Sequence, residues 1–114
     1  MTSLGRVGNT PVAVGGFFPN NKKMEKLENG EWIDYGDYPF VTEYIAHYSM
    51  ATLNDELYLF GGEDGEILLT QATKYDGENW VIVGDMLNGR RRHRSIVKDN
   101  TIMHVGGYPG TQYV

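Results

Sequence analysis

Cysteine is absent from this 114-residue chain, which excludes a disulfide framework and a thiolate metal site and leaves the redox compartment unread. No stretch approaches the roughly 18 consecutive apolar residues of a membrane-spanning helix. Residues Met1 to Arg6 lack the apolar core of a signal peptide and read as part of a repeated unit. Basic residues are outnumbered, ten Lys and Arg against fifteen Asp and Glu, and a net charge of −5 weighs against general nucleic-acid binding. What is abundant is glycine, at 15 residues, and tyrosine, at eight. With 40% apolar residues, that mixture excludes disorder and fits a single modest domain of short strands joined by tight turns.

Three glycine pairs, Gly15-Gly16, Gly61-Gly62 and Gly106-Gly107, each close a run of alternating apolar residues, at intervals of 46 and 45 residues. Trp32 and Trp80 follow the first two pairs by 16 and 18 residues, so the period carries two landmarks. Overlaying the periods predicts three hairpins, over residues 3–14, 49–60 and 95–105, with turns at Gly8-Asn9, Asn54-Asp55 and Asp99-Asn100. Gly, Asn and Asp tolerate the positive φ that two-residue hairpin turns demand. Pro11, which cannot donate to a ladder, suits the first residue of a strand. A polar loop and a second hairpin follow each of the first two pairs, turning at Asn29-Gly30 and at Gly77, with the tryptophans opening the fourth strand. Four short antiparallel strands, A to D, in about 45 residues make one propeller blade.

The order of landmarks resembles the kelch repeat. Residues Tyr58 to Gly62, Tyr75-Asp76, Trp80, Asp85-Met86 and Arg92-His93 carry the likeness in the middle repeat and its boundary. The first repeat is weaker, with Leu27-Glu28 in place of Tyr-Asp, and the third stops soon after its glycine pair. The resemblance implies an all-β, kelch-type β-propeller fragment of four-stranded antiparallel blades: residues 1–44 as the first repeat, 45–89 as the second, and strands A and B of a third in 90–114. Closed propellers use about four to eight blades. Two and a half blades do not close, so the chain is expected to be part of a longer product, to complete a ring with other chains, or to remain an open stack.

The landmarks have structural readings. Gly15, Gly16, Gly61, Gly62, Gly106 and Gly107 end strand B where a side chain would clash between blades. Trp32, Trp80 and Tyr75 are expected to pack between adjacent sheets, each tryptophan removing about 150–250 Å² from water. A stacking platform for sugars or bases is the alternative reading of the two tryptophans.

Alternation of strand direction puts the B-to-C and D-to-A connections on one face. Loops on a rigid scaffold are where recognition concentrates, and in kelch proteins this face commonly binds a protein or peptide, which the resemblance implies here. The expected contact residues are Phe17, Phe18, Tyr38, Tyr44, Glu63, Asp64, Arg90, Arg91, Arg92 and Arg94. The run from Arg90 to Arg94 fits acidic or phosphorylated partners through its guanidinium forks. A nuclear-import or nucleic-acid patch is another reading of it, and solvated repeat residues neutralised by the Glu63-Asp64 loop are a third.

No cofactor, metal or membrane partner is expected. His47, His93 and His104 lack metal-ligand spacing, and His47 and His93 stand at nearly equivalent blade starts, which favours a structural role. The segment 63–66 lacks the alternating oxygen ligands of a calcium loop. No nucleophile sits in an activating context, and the chain is read as non-enzymatic. The alternatives are a piece of a kelch-like propeller enzyme, galactose oxidase-type or similar, and a structural piece that self-assembles through open edges. Nothing in the sequence fixes a compartment.

Overall fold

Short apolar runs bounded by turn residues leave the chain no way to bury its side chains except as packed antiparallel sheets. The computed structural model describes residues 3–15, 21–65, 67–86 and 94–105, and no helix occurs among them. Twelve strands appear in order: β1 (Ser3–Val7), β2 (Thr10–Val14), β3 (Lys23–Glu28), β4 (Glu31–Asp37), β5 (Ser49–Leu53), β6 (Glu56–Phe60), β7 (Glu63–Asp64), β8 (Ile67–Leu68), β9 (Gln71–Tyr75), β10 (Trp80–Asp85), β11 (Arg94–Lys98) and β12 (Thr101–Val105). Blade 1 is the antiparallel sheet β1-β2-β3-β4, and blade 2 is β5-β6-β9-β10. β11 and β12 form the hairpin that begins blade 3. All five hairpin turns fall where the sequence places them. Asn54 and Asp55, at φ 52° and 65°, and Asp99 and Asn100, at 51° and 60°, adopt the paired left-handed geometry of turns that match strand twist.

One element departs from expectation. The polar loop after Gly62 contains the small ladder β7–β8, pairing Glu63 with Leu68 and Asp64 with Ile67.

The blades stand side by side with β1 against β5 and β5 against β11. Across the second junction the Ser49 and Ser95 hydroxyls are hydrogen-bonded. The core lies between blades 1 and 2, where Val12, Val14, Met24 and Tyr38 meet Tyr48, Leu57, Leu59 and Tyr75. The glycines at the ends of strand B make this closeness possible. A Cβ on Gly15 would strike the carbonyl oxygen and Cγ2 of Ile45. One on Gly62 would lie 2.7 Å from the Ala46 carbonyl oxygen and 2.8 Å from Tyr48 Cβ, and both glycines hold positive φ, 58° and 88°. Gly61 shares the positive φ, while Gly16, Gly106 and Gly107 lie outside the described residues.

The two tryptophans do not behave alike. Trp80 packs between the sheets, edge-on to Tyr38 at 4.8 Å and stacked on Tyr75 at 5.0 Å, with its indole N–H donating to Met24 Sδ at 3.1 Å. Trp32 was expected to do the same, yet it is 43% exposed. Trp80 reaches back onto the preceding blade; among the described residues no sheet precedes blade 1 to receive Trp32.

Candidate functional site

Among the described residues, the connection from blade 1 to blade 2 and the start of the second B-to-C loop lie together, tied by hydrogen bonds. The stretch 38–48 links blade 1 to blade 2 and lies against 61–65: Ala46 and Glu63 form an isolated bridge, exchanging N–H···O bonds of 3.3 and 2.9 Å. The Ile45 N–H donates to the Asn21 carbonyl at 3.2 Å, bringing in the end of the first B-to-C loop.

Two carboxylates organise the junction. Asp64 accepts from the backbone N–H groups of Thr42, at 2.8 Å, Glu43, at 2.8 Å, and Tyr44, at 3.3 Å, and from the Thr42 hydroxyl at 3.2 Å. Burial pushes the Asp64 carboxyl up, but the combined N–H and O–H donors outweigh it and hold it below the usual carboxylate range. Glu63 Oε1 lies 2.5 Å from His47 Nδ1, with both side chains buried. The Tyr44 hydroxyl donates to the Gly65 carbonyl at 2.8 Å, with Glu63 Oε2 3.2 Å away. His47 holds φ 55°, a left-handed conformation uncommon outside glycine, in which His, Asn and Asp are the better-tolerated side chains. These contacts give His47 a structural position at the blade start.

Three residues expected to meet a partner therefore face inward. Glu63 and Asp64 are 4% and 8% exposed, with Asp64 bonded to the 42–44 backbone and Glu63 to His47 and Tyr44. Tyr38 is 1% exposed: its hydroxyl donates to Thr73 Oγ1 at 3.0 Å while Thr73 donates to the Leu59 carbonyl at 3.2 Å, and burial pushes its phenol up to about 12. Tyr44 is half-buried beside Glu63, with Thr42, Glu43 and Pro39 exposed around it. Arg94 opens β11, after the following D-to-A connection. Phe17, Phe18, Arg90, Arg91, Arg92 and His93 lie outside the described residues. Among the described residues no group of three or more His, Asp or Glu side chains is placed to hold a metal ion.

The sequence missed the Asp64 cage because its donors lie 20 to 22 residues away in an irregular loop. A local signal existed for Tyr38: it follows a strand and precedes a proline, at the point where the chain crosses beneath the next blade.

Comparison with known proteins agrees with this architecture. No family model matches the chain. Kelch-like protein 25 of Xenopus tropicalis is 28% identical over 107 residues, 88% of this chain and 18% of that protein. Kelch repeat and BTB domain-containing protein 2 of Ectromelia virus (strain Moscow) is 27% identical over 105 residues, 89% of this chain and 19% of that one. Kelch-like protein 21 of Danio rerio is 31% identical over 77 residues, 62% of this chain and 13% of that one. The chain thus spans under a fifth of the length of each of these relatives. The solved structure of YjhT matches with a TM-score of 0.71 at 16% identity, covering 93% of this chain and 36% of that one, a likeness of fold. On blade topology, registered landmarks and relatives alike, the chain has the fold of a kelch-type β-propeller fragment, with four-stranded antiparallel blades that are not closed into a ring among the described residues.

Proposed function

We propose that the chain is a non-enzymatic protein-binding module that takes a protein or peptide, acidic in character, on the face formed by the B-to-C and D-to-A connections. The observation that carries this reading is the clasp of the two kinds of loop into one surface by Asp64, Glu63 and His47, which fixes the backbone around Thr42, Glu43 and Tyr44 before any ligand arrives. A pre-ordered surface loses less conformational entropy on binding than a floppy one. Relatives named as kelch-like proteins are consistent with a protein partner.

Within that face the arginine run, Arg90, Arg91, Arg92 and Arg94, supplies the positive charge, and Tyr44, with Phe17 and Phe18, the aromatic contacts. Tyr38, Glu63 and Asp64 act from beneath as supports. An array of acidic, phosphorylated and neutral peptides probed with the purified chain tests the assignment. Arg91→Glu combined with Arg92→Glu is expected to abolish selective retention of acidic peptides while leaving the β-sheet circular dichroism and melting midpoint unchanged. Equal retention by the folded variant and the unmodified chain overturns it.

A further inference from the structure

Blade 2 ends in β10, at the opposite side of its sheet from β5, the strand through which it meets the first strands of its neighbours. Among the described residues no strand pairs with β10 on the side away from β9. Which of its backbone groups face that side follows from its two ends. The Asp76 N–H donates to the Asn79 carbonyl, and the Met86 N–H donates to the Thr70 carbonyl, so residues 79 and 86 bond toward β9. Alternation inward from each end turns the N–H and C=O groups of Trp80, Ile82 and Asp85 outward, with the bulge between Ile82 and Gly84 taking up the odd residue.

The side chains along this edge are apolar. Trp80 and Ile82 lie on the face that packs toward blade 1; blade 1 covers Trp80, yet Ile82 is 51% exposed, with Val81 and Val83 exposed beside it. Blade 1 has the same strand with different chemistry. An offset of 48 residues sets Trp32, Asp34 and Asp37 of β4 at the positions of Trp80, Ile82 and Asp85, and each strand carries a bulge before its last aspartate. Asp34, paired with Lys23 at 3.1 Å, puts charge at the centre of the β4 edge, a common means by which an edge refuses a further strand. In β10 isoleucine stands there instead. Charge sits only at the ends, on exposed Glu78 in the preceding turn and on exposed Asp85, while Lys74, the cross-strand neighbour of Val81, is turned to Glu56 at 3.3 Å.

We propose that β10 takes an extended segment of another protein as a further strand of blade 2, a segment with apolar side chains around Ile82 and lysine or arginine at each end. Main-chain bonds to Trp80, Ile82 and Asp85 supply the pairing, Ile82 and the flanking valines the apolar contact, and Glu78 and Asp85 the charge preference. The acidic ends decide against a second copy as the occupant. Antiparallel pairing of two β10 strands about Ile82 sets Asp85 of each copy beside Asn79 and Glu78 of the other, and parallel pairing in register sets Asp85 against Asp85. Each copy also carries a net charge of −5. The site uses the outer edge of blade 2 and a basic partner, not the loop face and an acidic one, so it stands or falls independently of the assignment above.

Fluorescence anisotropy of a labelled peptide, Lys-Val-Thr-Val-Thr-Val-Lys, titrated with the intact chain tests it. Saturable binding at submillimolar concentration is expected. The same peptide N-methylated at every valine and threonine, which cannot donate to a ladder, is expected not to bind, and one with glutamate at both ends to bind roughly tenfold more weakly. Ile82→Asp, which gives β10 the residue that β4 carries, is expected to weaken binding roughly tenfold or more even though it adds a charge that attracts lysine. Glu78→Lys combined with Asp85→Lys is expected to reverse the preference between the lysine-ended and glutamate-ended peptides. Circular dichroism and thermal melting report whether each variant folds, and if Ile82→Asp fails to fold, Ile82→Thr supplies the same comparison. Absence of saturable binding overturns the proposal, as does equal binding by the N-methylated peptide, by the glutamate-ended peptide or by the folded Ile82 variant. Dimerisation of the chain in sedimentation velocity that Ile82→Asp abolishes also overturns it, since the occupant would then be a second copy.

Discussion

The indole N–H of Trp80 meets the sulfur of Met24 at 3.1 Å, joining the fourth strand of one blade to the third strand of the blade before it across 56 residues of sequence. The sulfur lies in the core and the ring covers Tyr38 and Tyr75, so one side chain seals the junction between the two complete blades. Trp80→Ala is expected to cost about 3 kcal/mol, toward the lower end of buried tryptophan truncations because the ring is only partly covered. Trp32→Ala, at the equivalent position and at dilutions that keep chains apart, is expected to cost under about 1 kcal/mol, as surface changes do. Urea unfolding followed by circular dichroism separates the two, and equal costs contradict the packing described.

Gly62 and Gly30 both hold positive φ, 88° and 80°, but only Gly62 has backbone in the space a Cβ would fill. Gly30→Ala therefore measures conformational strain alone, about 1–2 kcal/mol. Gly62→Ala adds a collision with the Ala46 carbonyl and Tyr48 at the point where the D-to-A connection crosses, and is expected to lower the melting midpoint at least twice as far.

The repeats and turns were legible in sequence because they rest on local chemistry. Asn54-Asp55 and Asp99-Asn100 need no distant residue to favour their geometry, and a period shared by glycine pairs and tryptophans fixes the register of blades without any contact being known. Burial was less legible where it depends on a neighbour. Trp32 and Trp80 are the same residue at the same strand position, and among the described residues a preceding sheet is present for Trp80 and not for Trp32. Glu63 and Asp64 look like an exposed acidic loop in sequence; Asp64 is buried because irregular backbone some twenty residues earlier presents N–H groups that a carboxylate satisfies, and Glu63 because the His47 ring and the Tyr44 hydroxyl lie against it.

That cage makes a pH prediction. The Asp64 carboxyl is held below its ordinary value, so the folded state favours the ionised form; the stability it contributes is present above the ordinary aspartate range near 4 and is lost as pH falls through the lower folded value. Asp64→Asn keeps the shape but cannot accept from all four donors as an anion does. It is expected to lose on the order of 2 kcal/mol at neutral pH, the scale of hydrogen bonds to a buried charge, and to flatten the acid limb of the stability curve. Urea midpoints measured from pH 7 down to pH 3 check both, and an unchanged acid limb in the variant would show that other carboxylates govern it.

Tyr38 makes the complementary prediction at the alkaline end. Burial raises its phenol to about 12, because the phenolate would lose water without gaining a cation, and Thr73 already spends its own proton on the Leu59 carbonyl. A folded value above the unfolded one, near 10, means the contribution is complete below about pH 10 and is lost as pH climbs toward the folded value. Tyr38→Phe retains the ring that Trp80 and Phe40 pack against and removes only the hydroxyl. At neutral pH it is expected to cost about 1 kcal/mol, since Thr73 keeps its bond to Leu59 and loses a single donor. Above pH 10 the variant has no phenol to ionise, so its stability falls less steeply than that of the unmodified chain and the two curves converge. Urea midpoints from pH 8 to pH 11.5 test this; parallel curves would mean that the Tyr38 hydroxyl reaches solvent and does not hold the floor of the D-to-A connection.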